Sequence, residues 1–291
     1  MKILNFGSLN IDHVYQVEHI VGKGETLQAQ EKSIFCGGKG LNQSIALARA
    51  GAEVYHAGII GRDGGMLKEK LESSGVNTAL LKCVEGASSH TIIQVDSKGN
   101  NCILFFADRL LDIGQDYIEE VVNQFGAGDY ILLQNELNHT ELIMEAAHRR
   151  GMKIVLNPSP INDRLRCFPL DYVDIFILNE IEGHALTGQT EPEAILRDMG
   201  KEYPGAMTVL TLGERGSCCL KDGRLISQEA CPAAAVDTTA AGDTFTGYFM
   251  AEYLRTGKRA EALALAARAA ALSVMRPGAA DSIPMREELG V

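Results

Sequence analysis

Six short runs in this chain, KILNFG, EVYHAGII, DYILLQ, KIVLN, VDIFIL and MTVLTL, are apolar almost throughout and rich in β-branched residues. That length and composition belong to strands buried on both faces. Between them lie segments with apolar residues at helical spacing, such as LNQSIALARAG, GGMLKEKLESSG and ELIMEAAHRRG, each closed by a glycine. The alternation predicts an α/β fold: a mostly parallel central sheet with helices on both faces. Ligands of such sheets gather at the carboxyl ends of the strands, so the segments that follow strands are where chemistry is expected.

Two regions break the rhythm. Residues 13–35 and 86–107 contain β-prone runs with no helix between them, the second folding around a Ser-Lys-Gly-Asn turn in HTIIQVDSKGNNCILFF. A lone hairpin is not stable in water, so both regions are expected to form a small sheet packed on the main body or on a second subunit, as a lid over the strand ends. With no repeat, low-complexity tract or long linker, residues 1–291 read as one domain carrying that lid as an insertion. Near the end, DTFTGYFMAEYLRTG and AEALALAARAAALSVMRPG read as two helices, the alanine-rich second suited to close packing.

Composition narrows the function. A formal charge of −11 argues against nucleic acid or an anionic membrane as the main partner, since both require a concentrated basic surface. Small molecules are the expected partners. No uncharged apolar run reaches the roughly 18 residues of a membrane span; Arg268 interrupts the Ala/Leu-rich stretch, and Asn5 and Asp12 break any signal-peptide core. Seven cysteines without a CxxC pair suit reduced thiols, and the seven histidines show no zinc-site spacing. A cytoplasmic enzyme is expected.

Two stretches could carry the chemistry. CGGKGLNQS, residues 36–44, leads into a helix, where adjacent glycines and unpaired N–H groups let a polar ligand approach the backbone. It is not a Walker A loop, because Lys39 is followed by glycine, and it is not GxGxxG. DTTAAGDTF, residues 237–245, places small residues before a helix. The amides of Ala240, Ala241 and Gly242 would form an anion cradle with Asp243 beside it, the division of labour that phosphoryl transfer requires. Asp243 alone would read equally well as a first-turn acid complementing the helix dipole.

Together and in this order, nearly two hundred positions apart, GGKGLNQS and DTTAAGDTF resemble the two signatures of the ribokinase (PfkB-type) family of carbohydrate and nucleoside kinases. GSLNID, LLQNE, LNEIEG, TLGERG and RPGAADSIPMREE also resemble that family in order and spacing, so the likeness covers nearly the whole chain. It implies a three-layer Rossmann-like sandwich with a β-sheet lid, ATP as co-substrate, and a sugar phosphorylated on its primary hydroxyl. Asp243 matches the family's catalytic base, and Ala240, Ala241 and Gly242 its anion hole. Asn10 and Asp12 at the first strand end, with Gly38, Lys39, Asn42 and Glu136, match sugar ligands. Asn179 and Glu182 resemble the motif that organises Mg2+ and phosphate, usually through water, while Thr211, Gly213 and Gly216 resemble the nucleotide loop. Asp237, Thr239, Ser273, Arg276 (by its carbonyl), Gly278 and Ser282 match positions around a monovalent cation, K+. A homodimer through the lid is expected, because uncovered sheet edges tend to be paired.

The chain departs from that pattern at Ala107-Asp108-Arg109, where the family commonly reads Gly-Ala-Asn, and at Ala267, where a histidine often lies near the adenine. The first leaves the acceptor open: ribose comes first, with another pentose, a deoxypentose, a hexose derivative or a nucleoside as alternatives. A catalytically silent sugar-binding relative should have lost the base or the cradle, and both are intact. A nucleotide-dependent oxidoreductase would need an early GxGxxG, which the chain lacks.

Overall fold

The computed structural model describes residues 1–290. The chain starts with β1 (Ile3–Phe6), then β2 (Asn10–Gln16) and β3 (Glu31–Gly37), and passes through α1 (Lys39–Arg49), β4 (Val54–Ile60), α2 (Gly65–Ser73) and β5 (Asn77–Cys83) to β6 (Ser89–Val95) and β7 (Asn101–Phe106). After α3 (Gln115–Val122) come β8 (Tyr130–Gln134), α4 (Thr140–Arg149), β9 (Lys153–Asn157), β10 (Val173–Asn179), α5 (Glu180–Thr187), α6 (Pro192–Glu202) and β11 (Met207–Thr211). A hairpin of β12 (Ser217–Lys221) and β13 (Arg224–Gln228) precedes α7 (Ala241–Thr256) and α8 (Arg259–Val274).

Nine strands form one sheet in the order β13-β12-β11-β10-β9-β8-β1-β4-β5. It is parallel from β11 to β5, and the β12–β13 hairpin extends it antiparallel. The buried strands feed two cores by simple alternation. In β10, Ile175 and Ile177 join the core under α1, α2, α7 and α8, while Phe176 and Leu178 join the core under α3, α4 and α6. That is the expected three-layer α/β sandwich, and six of the seven strands of its parallel core are legible because a strand buried on both faces carries no polar stripe; the seventh, β5, is a half-exposed edge strand whose polar positions hid it.

A second sheet, of order β3-β2-β6-β7, holds the helix-free strands. Asn10 and Asp12 belong to it: they lie at the start of β2, not at the end of β1 as the unbroken run KILNFGSLNID suggests. The cause is Gly7, where the chain leaves the main sheet. A Cβ there would stand 2.6 Å from Gly40 Cα and from Gln134 Oε1, so only glycine allows the start of α1 to press against the end of β1.

Candidate active site

The carboxyl ends of β8, β9, β10 and β11 finish in polar residues, Gln134, Asn157, Asn179 and Thr211, where an apolar strand leaves the sheet. Three of them, with Ile177, Leu178 and Ser159, line a cavity of about 240 Å³ whose other wall is Lys39, Glu182, Thr238, Ala240, Gly242, Asp243 and Thr246. It lies at the carboxyl ends of β9, β10 and β11, where ligands of such sheets gather.

Asp243, in the first turn of α7, is only 6% exposed. Both its oxygens are held by α1: Asn42 Nδ2 donates to Oδ2 at 3.1 Å and Gln43 Nε2 to Oδ1 at 2.8 Å. The two glycine-bearing signatures of the sequence therefore meet at one carboxylate. Ala240, the residue before α7, takes the left-handed conformation at φ 60°, a backbone strain of order 1 kcal/mol that lets the loop turn into the helix beside the cavity. The first N–H groups of a helix have no intrahelical acceptor. Ala241 N–H reaches Thr238 O at 3.3 Å, and Gly242 and Asp243 line the cavity.

Lys39 stands among carboxylates. Burial alone would depress its ammonium, but Asp243, Glu136 and Glu182 together hold it above the ordinary lysine value. Glu136 accepts from the Ser8 hydroxyl and, at 3.1 Å, from Lys39 N–H, yet burial keeps it above the usual carboxylate range. Glu182 and Asn179 form a reciprocal cap on α5: Asn179 Oδ1 accepts from Glu182 N–H at 2.9 Å, and Glu182 Oε2 accepts from Asn179 N–H at 2.8 Å. Burial raises Glu182 too, against the Asn179 N–H and Lys39. Cap and site residue coincide here, since the same carboxylate lines the cavity.

Asp12 accepts from Thr91 Oγ1 at 2.5 Å and is raised chiefly by burial. Among the described residues, Asn10 Oδ1 and Asn42 Oδ1 are buried acceptors with no hydrogen-bond partner. Gly38, at φ 98°, lies against Ser8 and opens α1. Thr211 ends β11; Gly213 and Gly216 bracket a single turn at φ 57° and 92°, and at Gly216 a Cβ would stand 2.0 Å from Gln228 O.

Behind the cavity, Asp237 ties the loop before α7 to the loop after α8. It accepts from Thr239 N–H and Gly278 N–H, both at 2.9 Å, and these donors outweigh its burial and hold it below the usual range. Ser273 and Ser282, both fully buried, turn their hydroxyl hydrogens onto Ala270 O and Ala279 O, and Arg276 N–H donates to Ser273 O. The Arg276 guanidinium pairs with Glu288 and leaves only backbone for this loop.

Asn157, Ser159, Thr246, Gln43 and Gln134 escaped assignment from sequence. The first stands where KIVLN leaves its strand, a position at which the strand-end rule could have found it. The two glutamines lie inside the quoted runs GGKGLNQS and LLQNE, but nothing in a sequence distinguishes a glutamine aimed at a carboxylate from one in solvent.

The description of the pfkB family of carbohydrate kinases matches residues 1–286 of this chain. A ribokinase of Haemophilus influenzae is 34% identical over 298 residues, covering 97% of this chain and 95% of its own. Among solved structures, ribokinase from Cryptococcus neoformans in complex with ADP superposes with a TM-score of 0.86 at 31% identity, covering 99% of this chain and 98% of its own. Ribokinase from Arabidopsis thaliana complexed with ribose and ATP superposes at 0.85 with 29% identity, covering 99% and 96%.

Proposed function

The chain belongs to the pfkB family of carbohydrate kinases, and within it we propose that this site phosphorylates the primary hydroxyl of ribose with ATP. One observation carries the reading: a buried carboxylate, Asp243, stands beside the amino terminus of α7 with both oxygens oriented by α1. In the proposed step Asp243 takes the hydroxyl proton as that oxygen bonds the γ-phosphorus. The bond from the γ-phosphorus to its bridging oxygen breaks, and the electron pair leaves with ADP. The amides of Ala240, Ala241 and Gly242 oppose the charge on the transferring group. Asn10, Asp12, Gly38, Lys39, Asn42 and Glu136 hold the sugar, and Thr211, Gly213 and Gly216 the nucleotide.

Charge supports a magnesium partner for the nucleotide. Asp243, Glu136 and Glu182 surround a single ammonium, Lys39, and a polyanion enters such a site favourably only with a cation. Glu182, its oxygens already shared with Asn179, fits a water-mediated contact to Mg2+, which neutralises phosphate charge when bound. The carbonyl and hydroxyl oxygens around Asp237, Thr239, Ser273, Arg276, Gly278 and Ser282 are the neutral hard donors that K+ takes, and K+ there would stiffen the cradle loop. The acceptor is the least constrained element: Ala107-Asp108-Arg109 leaves the lid at β7, which favours another pentose or a deoxypentose as the second reading. The seven free cysteines, three of them exposed, suit a reducing cytoplasm, and the lid sheet is proposed to pair two copies.

An ATP-consumption screen over pentoses, a deoxypentose, hexoses and nucleosides with Mg2+ tests this. Ribose is expected to give the highest kcat/KM, and K+ to raise turnover several-fold. Failure of every sugar and nucleoside to drive turnover overturns the kinase reading, and equal rates when tetramethylammonium replaces K+ remove the cation.

A further inference from the structure

Below the cavity floor, an unbroken chain of buried polar side chains leads from Asp243 into the core. Gln43 Nε2 donates to Asp243 Oδ1 at 2.8 Å and to Asn157 Oδ1 at 3.1 Å, and Gln43 Oε1 accepts from Gln134 Nε2 at 2.7 Å. Gln134 Nε2 also donates to Asn5 Oδ1 at 3.0 Å. Asn5 Nδ2 donates to Gly40 O and to Ser44 Oγ, both at 2.8 Å, and Ser44 Oγ lies 2.7 Å from His56 Nδ1. Gln43, Asn5, Ser44 and His56 are 0% exposed and Gln134 is 2% exposed.

The chain has a direction, and Asp243 sets it. An ionised carboxylate only accepts, so the amide nitrogen of Gln43 must face it and the amide oxygen must face Gln134. Gln134 then spends both N–H groups on Gln43 and Asn5, and Asn5 spends both on Gly40 and Ser44. Ser44, already an acceptor, donates to His56 Nδ1 and leaves the imidazole neutral with its proton on Nε2. This agrees with burial, which drops His56 to about 4. Flipping any one amide would set two donors or two acceptors face to face. The orientation also carries a cost: Gln134 Oε1 is buried with no partner.

We propose that Gln43 is a positioning residue for Asp243, locked in turn by Gln134, and that the amide chain aims the carboxylate at the attacking hydroxyl. This rests on the reading of Asp243 as the base.

The test compares Gln43→Met, Gln134→Met, the double variant and Asp243→Asn in steady-state and single-turnover assays. Gln43→Met is expected to lower kcat about tenfold to a hundredfold, as misplacement of a reacting group does, with both KM values held within about twofold. Gln134→Met should lower kcat by less, again with KM held, and the double variant should be no worse than Gln43→Met, because Gln134 acts through Gln43. An unchanged kcat in Gln43→Met, or a loss confined to KM, overturns the proposal. Should Gln43→Met fail to melt cooperatively, Gln134→Met decides, since it leaves both donors to Asp243 in place. Asp243→Asn separates the two levels: if it retains parental turnover, the base reading itself is wrong; if it is inactive while the glutamine variants match the parent, only the positioning role is lost.

Discussion

Glu136 shows what burying a carboxylate costs the folded chain. Burial raises it above the ordinary carboxylate range in spite of Ser8 and Lys39, so the folded chain binds that proton more tightly than the unfolded chain does. The sign follows from linkage. Its ionised form opposes folding at pH values above the raised folded pKa, and the penalty fades as pH falls through that value. Sugar binding runs the other way, because the neutral acid is the poorer acceptor for a hydroxyl. Glu136→Gln is therefore expected to melt higher than the parent at pH 7, with the gap closing as pH falls. Its sugar affinity should drop about tenfold to a hundredfold, the loss of one charge-assisted hydrogen bond. Calorimetric titration and thermal melts over pH would check both, and a variant melting lower at neutral pH with affinity unchanged would reject the assignment. At this scale a sequence singles out residue types within motifs but not their orientations. Asp12, Glu136, Glu182 and Asp243 could be singled out within their motifs, but that Asn10 Oδ1 and Asn42 Oδ1 lack partners among the described residues depends on the fold around them.

At the scale of elements, the site depends on how closely α1 and α7 approach, since one brings Asn42 and Gln43 and the other Asp243. Gly247 sets that distance. A Cβ there would stand 2.4 Å from Ala46 Cβ, 2.7 Å from Leu47 N and 2.8 Å from Ala46 C. Replacing an interior helix glycine with alanine ordinarily gains about 1 kcal/mol, but this methyl meets backbone that cannot rotate away, and overpacking of that kind costs typically 1–3 kcal/mol. The clash is expected to win. Gly247→Ala should lower Tm by several degrees, about 2–4 °C per kcal/mol for chains of comparable size, and lower kcat about tenfold by spreading the two helix starts. Gly65→Ala, with open space around the added methyl, is the control expected to hold or gain stability. Equal melting of the two would mean that α1 and α7 give way without strain. Elements of the parallel core were legible because their apolar runs are continuous. The β12–β13 hairpin does not follow the strand–helix rhythm, although Asp222 at φ 51° and Gly223 at φ 69° are the pair that two-residue turns favour. The break between β1 and β2 was hidden because Gly7 interrupts the run without changing its hydropathy.

For the whole molecule, the lid sheet poses the largest unsolved burial problem. Ile103, Leu104, Phe105 and Phe106 of β7 are 57%, 66%, 55% and 47% exposed, and Ile34 and Phe35 of β3 are 47% and 40% exposed. Four consecutive exposed apolar residues on the edge strand β7, with two more on the opposite edge strand β3, are unusual on a monomer and mark an association site. The net charge of −11 resists non-specific clustering, so any association has to come from a patch where apolar area outweighs repulsion. Those residues were legible as lid from the missing helices, whereas their exposure on both faces of β7 was not, because alternation in a sequence cannot say which face is left uncovered. If two copies pair through this sheet, the particle should sediment at twice 31.4 kDa. Leu104→Glu, which places a charge in the most exposed position of the patch, should shift it to the single-chain mass. Since β2 of the same sheet carries Asn10 and Asp12, that variant should also raise the KM for sugar more than the KM for ATP. Sedimentation velocity at several concentrations, paired with kinetics on the same samples, decides it: a parent that sediments as a single chain at micromolar concentration would show that the lid stays uncovered and that the apolar patch serves some other contact.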